Sequence, residues 1–193
     1  MAATAKADVR LTIHAARRAL HKQTHAREAA ALATLVASLV GEGEVTCAYV
    51  PTGTEPGSLT MLQALRAGGS RVLLPLTRSP GYPLDWAEFT GTGDLRDAEY
   101  GLREPTADPL GPAAIAGARL VLVPALAVDR AGHRLGRGAG FYDRSLTLAD
   151  PAARLVAVVR AAEVLAELPH EEHDIAMDDA LTPAGLISLG TAL

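Results

Sequence analysis

Three consecutive stretches decide the fold: Val45-Thr-Cys-Ala-Tyr-Val50, then Ser58-Leu59-Thr-Met-Leu62-Gln-Ala-Leu65-Arg-Ala-Gly68-Gly69, then Arg71-Val-Leu-Leu-Pro-Leu76. The first concentrates apolar and β-favouring residues and exits through Pro51 and Gly53, the pattern of a buried strand running into a loop. In the second, Ser58 can cap a helix along which Leu59, Leu62 and Leu65 recur, and the glycine pair closes it. The third reads as another strand. A connection of this length predicts a right-handed crossover between parallel neighbours, hence an α/β fold with helices over both faces of its sheet.

Outward from this unit, the alanine-, leucine- and arginine-rich segments Lys6 to Leu20 and Arg27 to Val40 contain no proline and predict two opening helices. Leu84, Trp86 and Phe89 mark a short strand, followed by a glycine- and acid-containing connector that ends near Gly101 to Pro105. Leu120 to Val123 and Leu155 to Val159 supply further strands. No internal repeat breaks the chain, and residues 1–193 are expected to form one domain.

Composition narrows the function. With 49% hydrophobic and 21% charged residues the chain is an ordinary globular protein, and its formal charge of -4 disfavours a nucleic-acid partner held through phosphate contacts. Cys47 is the sole cysteine, which excludes an intrachain disulfide and fits the reducing cytoplasm. Met1 to Arg10 lacks the apolar core of a signal peptide, and no run approaches membrane-spanning length. No membrane partner is expected, and a monomer is the default.

The chemistry concentrates in Gly136-Arg137-Gly138-Ala139-Gly140, between a strand and a predicted helix from Phe141 to Leu148. Backbone N–H groups and a helix N-terminus at such a place suit phosphate, and Arg134 and Arg137 add charge. Neither the P-loop nor the dinucleotide fingerprint is present, so spacing alone leaves open a flexible turn with solvated arginines. In the first helix Lys6, Arg10 and Arg17 fall within about 40° of one another beside the apolar stripe of Val9, Ile13 and Leu20, while Arg18 faces solvent. Taken alone, those cations read as snorkelling side chains. His170 and His173 lack zinc-site spacing, Cys47 lies in a buried strand, and Tyr142 resembles pocket wall.

The run Pro124-Ala-Leu-Ala-Val-Asp129, Gly132 and Arg134-Leu-Gly-Arg-Gly-Ala-Gly-Phe-Tyr-Asp-Arg144 resembles the signature of the 5-formyltetrahydrofolate cyclo-ligases, with unbroken spacing and departures at Ala125, Val128, Ala139 and Phe141. Leu84, Trp86, Phe89 and Gly101 to Pro105 extend the likeness over most of the chain. It implies a three-layer sandwich with a mostly parallel sheet, similar to the sugar-phosphate isomerase and coenzyme A transferase folds. It also implies closure of 5-formyltetrahydrofolate to 5,10-methenyltetrahydrofolate, with ATP as co-substrate and Mg2+ as cofactor. On this likeness Lys6 and Arg10 contact ATP together with the loop Arg134, Leu135, Gly136, Arg137, Gly138, Ala139, Gly140, Phe141 and Tyr142. Arg134, Arg137 and Tyr142 take part in catalysis. Val50, Glu55 and the segment Arg137 to Phe141 contact the folate, and Asp143 and Asp174 hold magnesium. Ala139 stands where some members carry lysine, so here the charge rests on the arginines. Other readings are an ATP-independent enzyme of the isomerase or transferase fold, and a non-catalytic folate or nucleotide binder.

Overall fold

The computed structural model describes residues 2–171 and 174–190, so His173 lies outside the described residues. The strands expected from the apolar runs all enter one sheet: β1 (Val45–Cys47), β2 (Arg71–Leu76), β3 (Asp85–Glu88), β6 (Leu120–Pro124) and β9 (Arg154–Val158), joined by β11 (Asp179–Thr182) and β12 (Gly185–Ser188). Their order is β12-β11-β9-β6-β1-β2-β3. The five inner strands run parallel, and the two edges, β3 and β12, pair antiparallel with β2 and β11. Outside this sheet, β4 (Leu95–Asp97) and β5 (Arg103–Pro105) form their own hairpin, and β7 (Ala127–Asp129), β8 (Arg134–Leu135) and β10 (Val164–Leu165) form a three-stranded sheet.

Two-sided burial explains why the inner strands read as continuous apolar runs. On β6, Leu120 and Leu122 face one core and Val121 and Val123 the other; on β9, Val156 and Val158 oppose Leu155 and Ala157 in the same way. The first face is covered by α2 (Lys22–Val36) and α3 (Leu59–Ala67), whose Leu32, Val36, Leu62 and Leu65 are fully enclosed. The second is covered more thinly, by the 3-10 turn Pro112–Gly117 with Ile115, by the short α4 (Phe141–Leu146), and by Trp86. The long α1 (Ala2–Ala19) lies on the small sheet, where Ile13 packs with Leu126, Leu135 and Leu168.

The elements depart from expectation where side chains cap them. Helix α2 begins at Lys22 because the His21 ring accepts a hydrogen bond from the Gln23 N–H (3.3 Å), and it stops at Val36, where Ser38 Oγ donates to the Leu35 carbonyl (2.7 Å). Ser58 occupies the N-cap of α3 but its side chain makes no capping bond. The strand after Val45 is three residues long, and the chain beyond it is held by the Tyr49 hydroxyl, which donates to the Pro56 carbonyl (2.7 Å). The hairpin of β11 and β12 carried no clear sequence signal: both strands are four residues long, and the outer one is only half-buried on alternate residues.

Replacing Leu62 by Ala should therefore cost about 2–5 kcal/mol through the cavity it leaves, whereas Ser58→Ala should change stability by less than about 0.5 kcal/mol, because no capping bond is lost. Urea unfolding of both variants checks the pair.

Candidate active site

From β1 the chain builds outward to β2 and β3, then returns to the opposite side of β1 to lay down β6, β9 and β11. The strand order therefore reverses between β1 and β6, which pair through Thr46 with Leu120 and Cys47 with Val121. In an open parallel sheet the loops leaving the carboxyl ends part at such a point and leave a crevice. Here the crevice is a cavity of about 440 Å³, walled by Tyr49, Val50 and Glu55 after β1, by Pro124, Ala125 and Leu126 after β6, and by the segment Gly136 to Asp143.

The excursion after β6 is fixed before it reaches the cavity. Asp129 is buried and its carboxylate accepts hydrogen bonds from the His133 ring (2.9 Å) and from the N–H groups of Ala131 (3.0 Å), His133 (2.8 Å) and Leu168 (3.0 Å). Burial alone would raise its pKa, but the bonds from His133 and the Leu168 N–H hold it below the usual aspartate value. Gly132 is required at the turn: its φ is +96°, and a Cβ there would lie 2.5 Å from the Met177 carbonyl oxygen.

Beyond β8 the chain forms the glycine-rich loop. Its outer carbonyls are occupied by arginines: Arg10 Nε donates to the Gly136 oxygen (2.9 Å) and Arg144 to the Ala139 oxygen (3.0 Å). The N–H groups from Gly136 to Gly140 have no acceptor among the described residues. Gly140 ends the loop in the left-handed conformation (φ +70°) as the N-cap of α4. A run of unused donors ahead of a helix start is an arrangement that binds an anion.

The loop's two arginines reach acids on either side. Arg134, its side chain almost buried, pairs with Asp143 in the first turn of α4, and its Nε has no partner among the described residues. Arg137 crosses the cavity to Glu55 (3.0 Å), the acid singled out on the first loop, which is nine-tenths buried and also accepts from the Thr52 N–H (2.9 Å) and hydroxyl (3.1 Å). The two lips are thus joined by an ion pair.

Among the other expected residues, Val50, Phe141 and Tyr142 line the cavity, and Leu135 is buried beneath the loop in the small-sheet core. The Tyr142 hydroxyl is enclosed and has no hydrogen-bond partner among the described residues, although the residue as a whole is only partly buried, and burial followed by the nearby Glu55 drives its pKa far up; it is a neutral phenol at any physiological pH. Burial likewise raises Cys47 and keeps it a thiol. Lys6 and Asp174 do not wall the cavity; Lys6 Nζ lies 3.3 Å from Asp174, on the helix that brings Arg10 to the loop. His170 stacks on His133 with ring centroids 3.7 Å apart, and no group of three or more metal-ligating side chains occurs among the described residues.

Sequence reasoning missed much of the wall. Thr77, Pro80, Arg103 and Glu104 also line it, Glu104 accepting from the Thr77 N–H (2.7 Å); the hint for the last two was the Gly101 to Pro105 segment. It also left Arg17 as one more border cation, whereas Arg17 is buried and makes paired bonds to Glu163 (2.7 and 2.8 Å). A buried ion pair between residues so far apart in sequence leaves no local signature.

The architecture is that of an α/β protein with a crevice where strand order reverses, fronted by a glycine- and arginine-rich loop. The chain belongs to the 5-formyltetrahydrofolate cyclo-ligase family, whose model matches residues 2–183. It is 45% identical to the 5-formyltetrahydrofolate cyclo-ligase of Mycolicibacterium smegmatis over 98% of this chain and 100% of that protein. The enzyme of the same name from Escherichia coli is 28% identical over 64% of this chain and 69% of its own. Among solved structures, the 5,10-methenyltetrahydrofolate synthetase of Aquifex aeolicus superposes with a TM-score of 0.79 at 23% identity, covering 97% of this chain and 94% of that one. The synthetase of Mycoplasma pneumoniae gives 0.73 at 15% identity, covering 92% and 98%. At these identities the structural matches speak for the fold.

The buried Asp129 makes stability pH-dependent in a defined direction. A carboxyl whose folded pKa is depressed stabilises the fold above its unfolded pKa, about 3.9, and that contribution is lost as pH falls through the lower folded value. Asp129→Asn should cost about 1–3 kcal/mol at pH 7 and flatten the fall in stability between pH 5 and about pH 2. Denaturant midpoints across that range check it.

Proposed function

We propose that this protein closes 5-formyltetrahydrofolate to 5,10-methenyltetrahydrofolate, converting ATP to ADP and phosphate. The observation that carries the reading is the loop Gly136 to Gly140, whose unused N–H donors and two arginines front a cavity with an acid, Glu55, on its far lip. The γ-phosphoryl group would pass to the formyl oxygen, N10 would attack the formyl carbon, and the C–O bond would break with phosphate as the leaving group. Arg134 and Arg137, with Arg10 and Lys6 behind them, would neutralise the phosphates, and the backbone from Leu135 to Phe141 would cradle them. Glu55 would orient the pterin against the apolar wall of Val50, Ala139 and Phe141, and the buried Tyr142 phenol would donate one hydrogen bond without ionising.

Magnesium fits this donor set. It commonly takes one or two carboxylates and fills its octahedron with phosphate oxygens and water, and Asp143 is a half-exposed carboxylate on the cavity wall. Asp143 and Asp174 would hold it, and it would supply charge neutralisation at the phosphates. Both acids sit on cations, Asp143 on Arg134 and Asp174 on Lys6, and the nucleotide would draw those cations to itself. The protein would act as a monomer in the cytoplasm; among the described residues no helix is long and apolar enough to cross a membrane.

Incubation with 5-formyltetrahydrofolate, ATP and magnesium should raise the near-ultraviolet absorbance of the methenyl product, and no rise would sink the assignment. Arg134→Ala and Asp143→Asn should each lower kcat/KM by about 10²–10³-fold, measured as folate-dependent ADP formation. Undiminished turnover in both would remove these residues from the site.

A further inference from the structure

Behind the cavity, outside its wall, four charged side chains share one partly buried network. Arg160 directs Nε to Glu28 of α2 (2.7 Å) and Nη1 to the Thr54 carbonyl (3.1 Å), with Glu163 at 3.6 Å. Glu163 accepts from the Arg160 N–H (2.8 Å) and from both ends of the Arg17 guanidinium, and Arg17 Nη2 also donates to the Ala125 carbonyl (2.8 Å). Arg17 is 4%, Glu163 5% and Arg160 8% exposed, and Arg160 Nη2 has no acceptor among the described residues.

As a way of filling space this is unfavourable. Dehydrating two guanidinium and two carboxylate groups costs as much as their attraction returns, and apolar side chains of the same volume would stabilise the fold as well or better. What the charges do instead is fix backbone. Thr54 adjoins Glu55, Ala125 is cavity wall, and Arg17 belongs to the helix that carries Lys6 and Arg10. The loop gains a second anchor from the same face of α2, where the His25 ring meets the Glu55 carbonyl at 3.1 Å.

We propose that Arg160 is a positioning residue for the folate subsite: by bridging Glu28, Glu163 and the Thr54 carbonyl it sets where the Glu55 carboxylate stands over the cavity. This rests on the reading of Glu55 as a folate contact. The Arg160 side chain bonds the carbonyl next to Glu55 but no residue of the basic helix or of the glycine-rich loop, so its removal acts on folate binding and leaves nucleotide binding in place.

The test is steady-state kinetics on the full chain with separate KM values for 5-formyltetrahydrofolate and ATP. Arg160→Met should raise the folate KM about tenfold and leave the ATP KM within about twofold, with Arg160→Lys intermediate, since lysine cannot span three acceptors. Glu28→Gln, a milder change at the network's edge, should raise the folate KM about threefold and carries the test if the methionine variant does not fold. Combined with Glu55→Gln, Arg160→Met should add less than about twofold, as both act through one contact. Multiplying effects, or equal rises in both KM values, overturn the proposal. If Glu55→Gln raises the folate KM and neither Arg160→Met nor Glu28→Gln does, the positioning role fails and the folate reading of Glu55 stands; if Glu55→Gln leaves it unchanged, both fall.

Discussion

The parallel pairing of β1 with β6 is the constraint on which the site depends. It puts two loops side by side at one end of the sheet although nearly seventy-five residues of chain separate Thr46 from Leu120, its partner in the register. Everything chemical follows from which residues those loops happen to carry. The first ends in Glu55, the second in the glycine-rich turn, and the cavity is the gap that strand reversal leaves between them.

Charge is balanced pairwise around the site, with one pair spanning the gap. Arg137 meets Glu55, Arg134 meets Asp143, and Lys6 meets Asp174. The Arg137 side chain is half-exposed, and a pair exposed in this way adds little to stability, so its value lies in holding the side chains ready at small cost. The permanent framework is elsewhere. Asp129 ties down the entry to the loop with four hydrogen bonds, and the Arg17, Glu163, Arg160 and Glu28 network fastens the basic helix and the Glu55 loop to the same sheet end.

The strands buried on both faces were legible because two-sided burial writes an uninterrupted apolar run, as in Leu120 to Val123. The glycine loop was legible because its chemistry is local: donors, arginines and a helix start adjoin in sequence. The long resemblance then attached a substrate to it. Helix limits failed where a single side chain decided them, as at His21 and Ser38. The far wall at Thr77 and Pro80, and the buried bridge from Arg17 to Glu163, were illegible because each joins segments that only the fold brings together.

In the proposed reaction the nucleotide phosphates lie on the backbone of Gly136 to Phe141. A crystal structure of the protein with magnesium and a non-hydrolysable ATP analogue tests it most directly. Phosphate oxygens should lie within about 3.2 Å of several of those N–H groups, with the Arg134 guanidinium turned from Asp143 onto the phosphates. Phosphates bound away from the loop, or the analogue in place with the Arg134 pair to Asp143 intact and the N–H groups facing water, would contradict it.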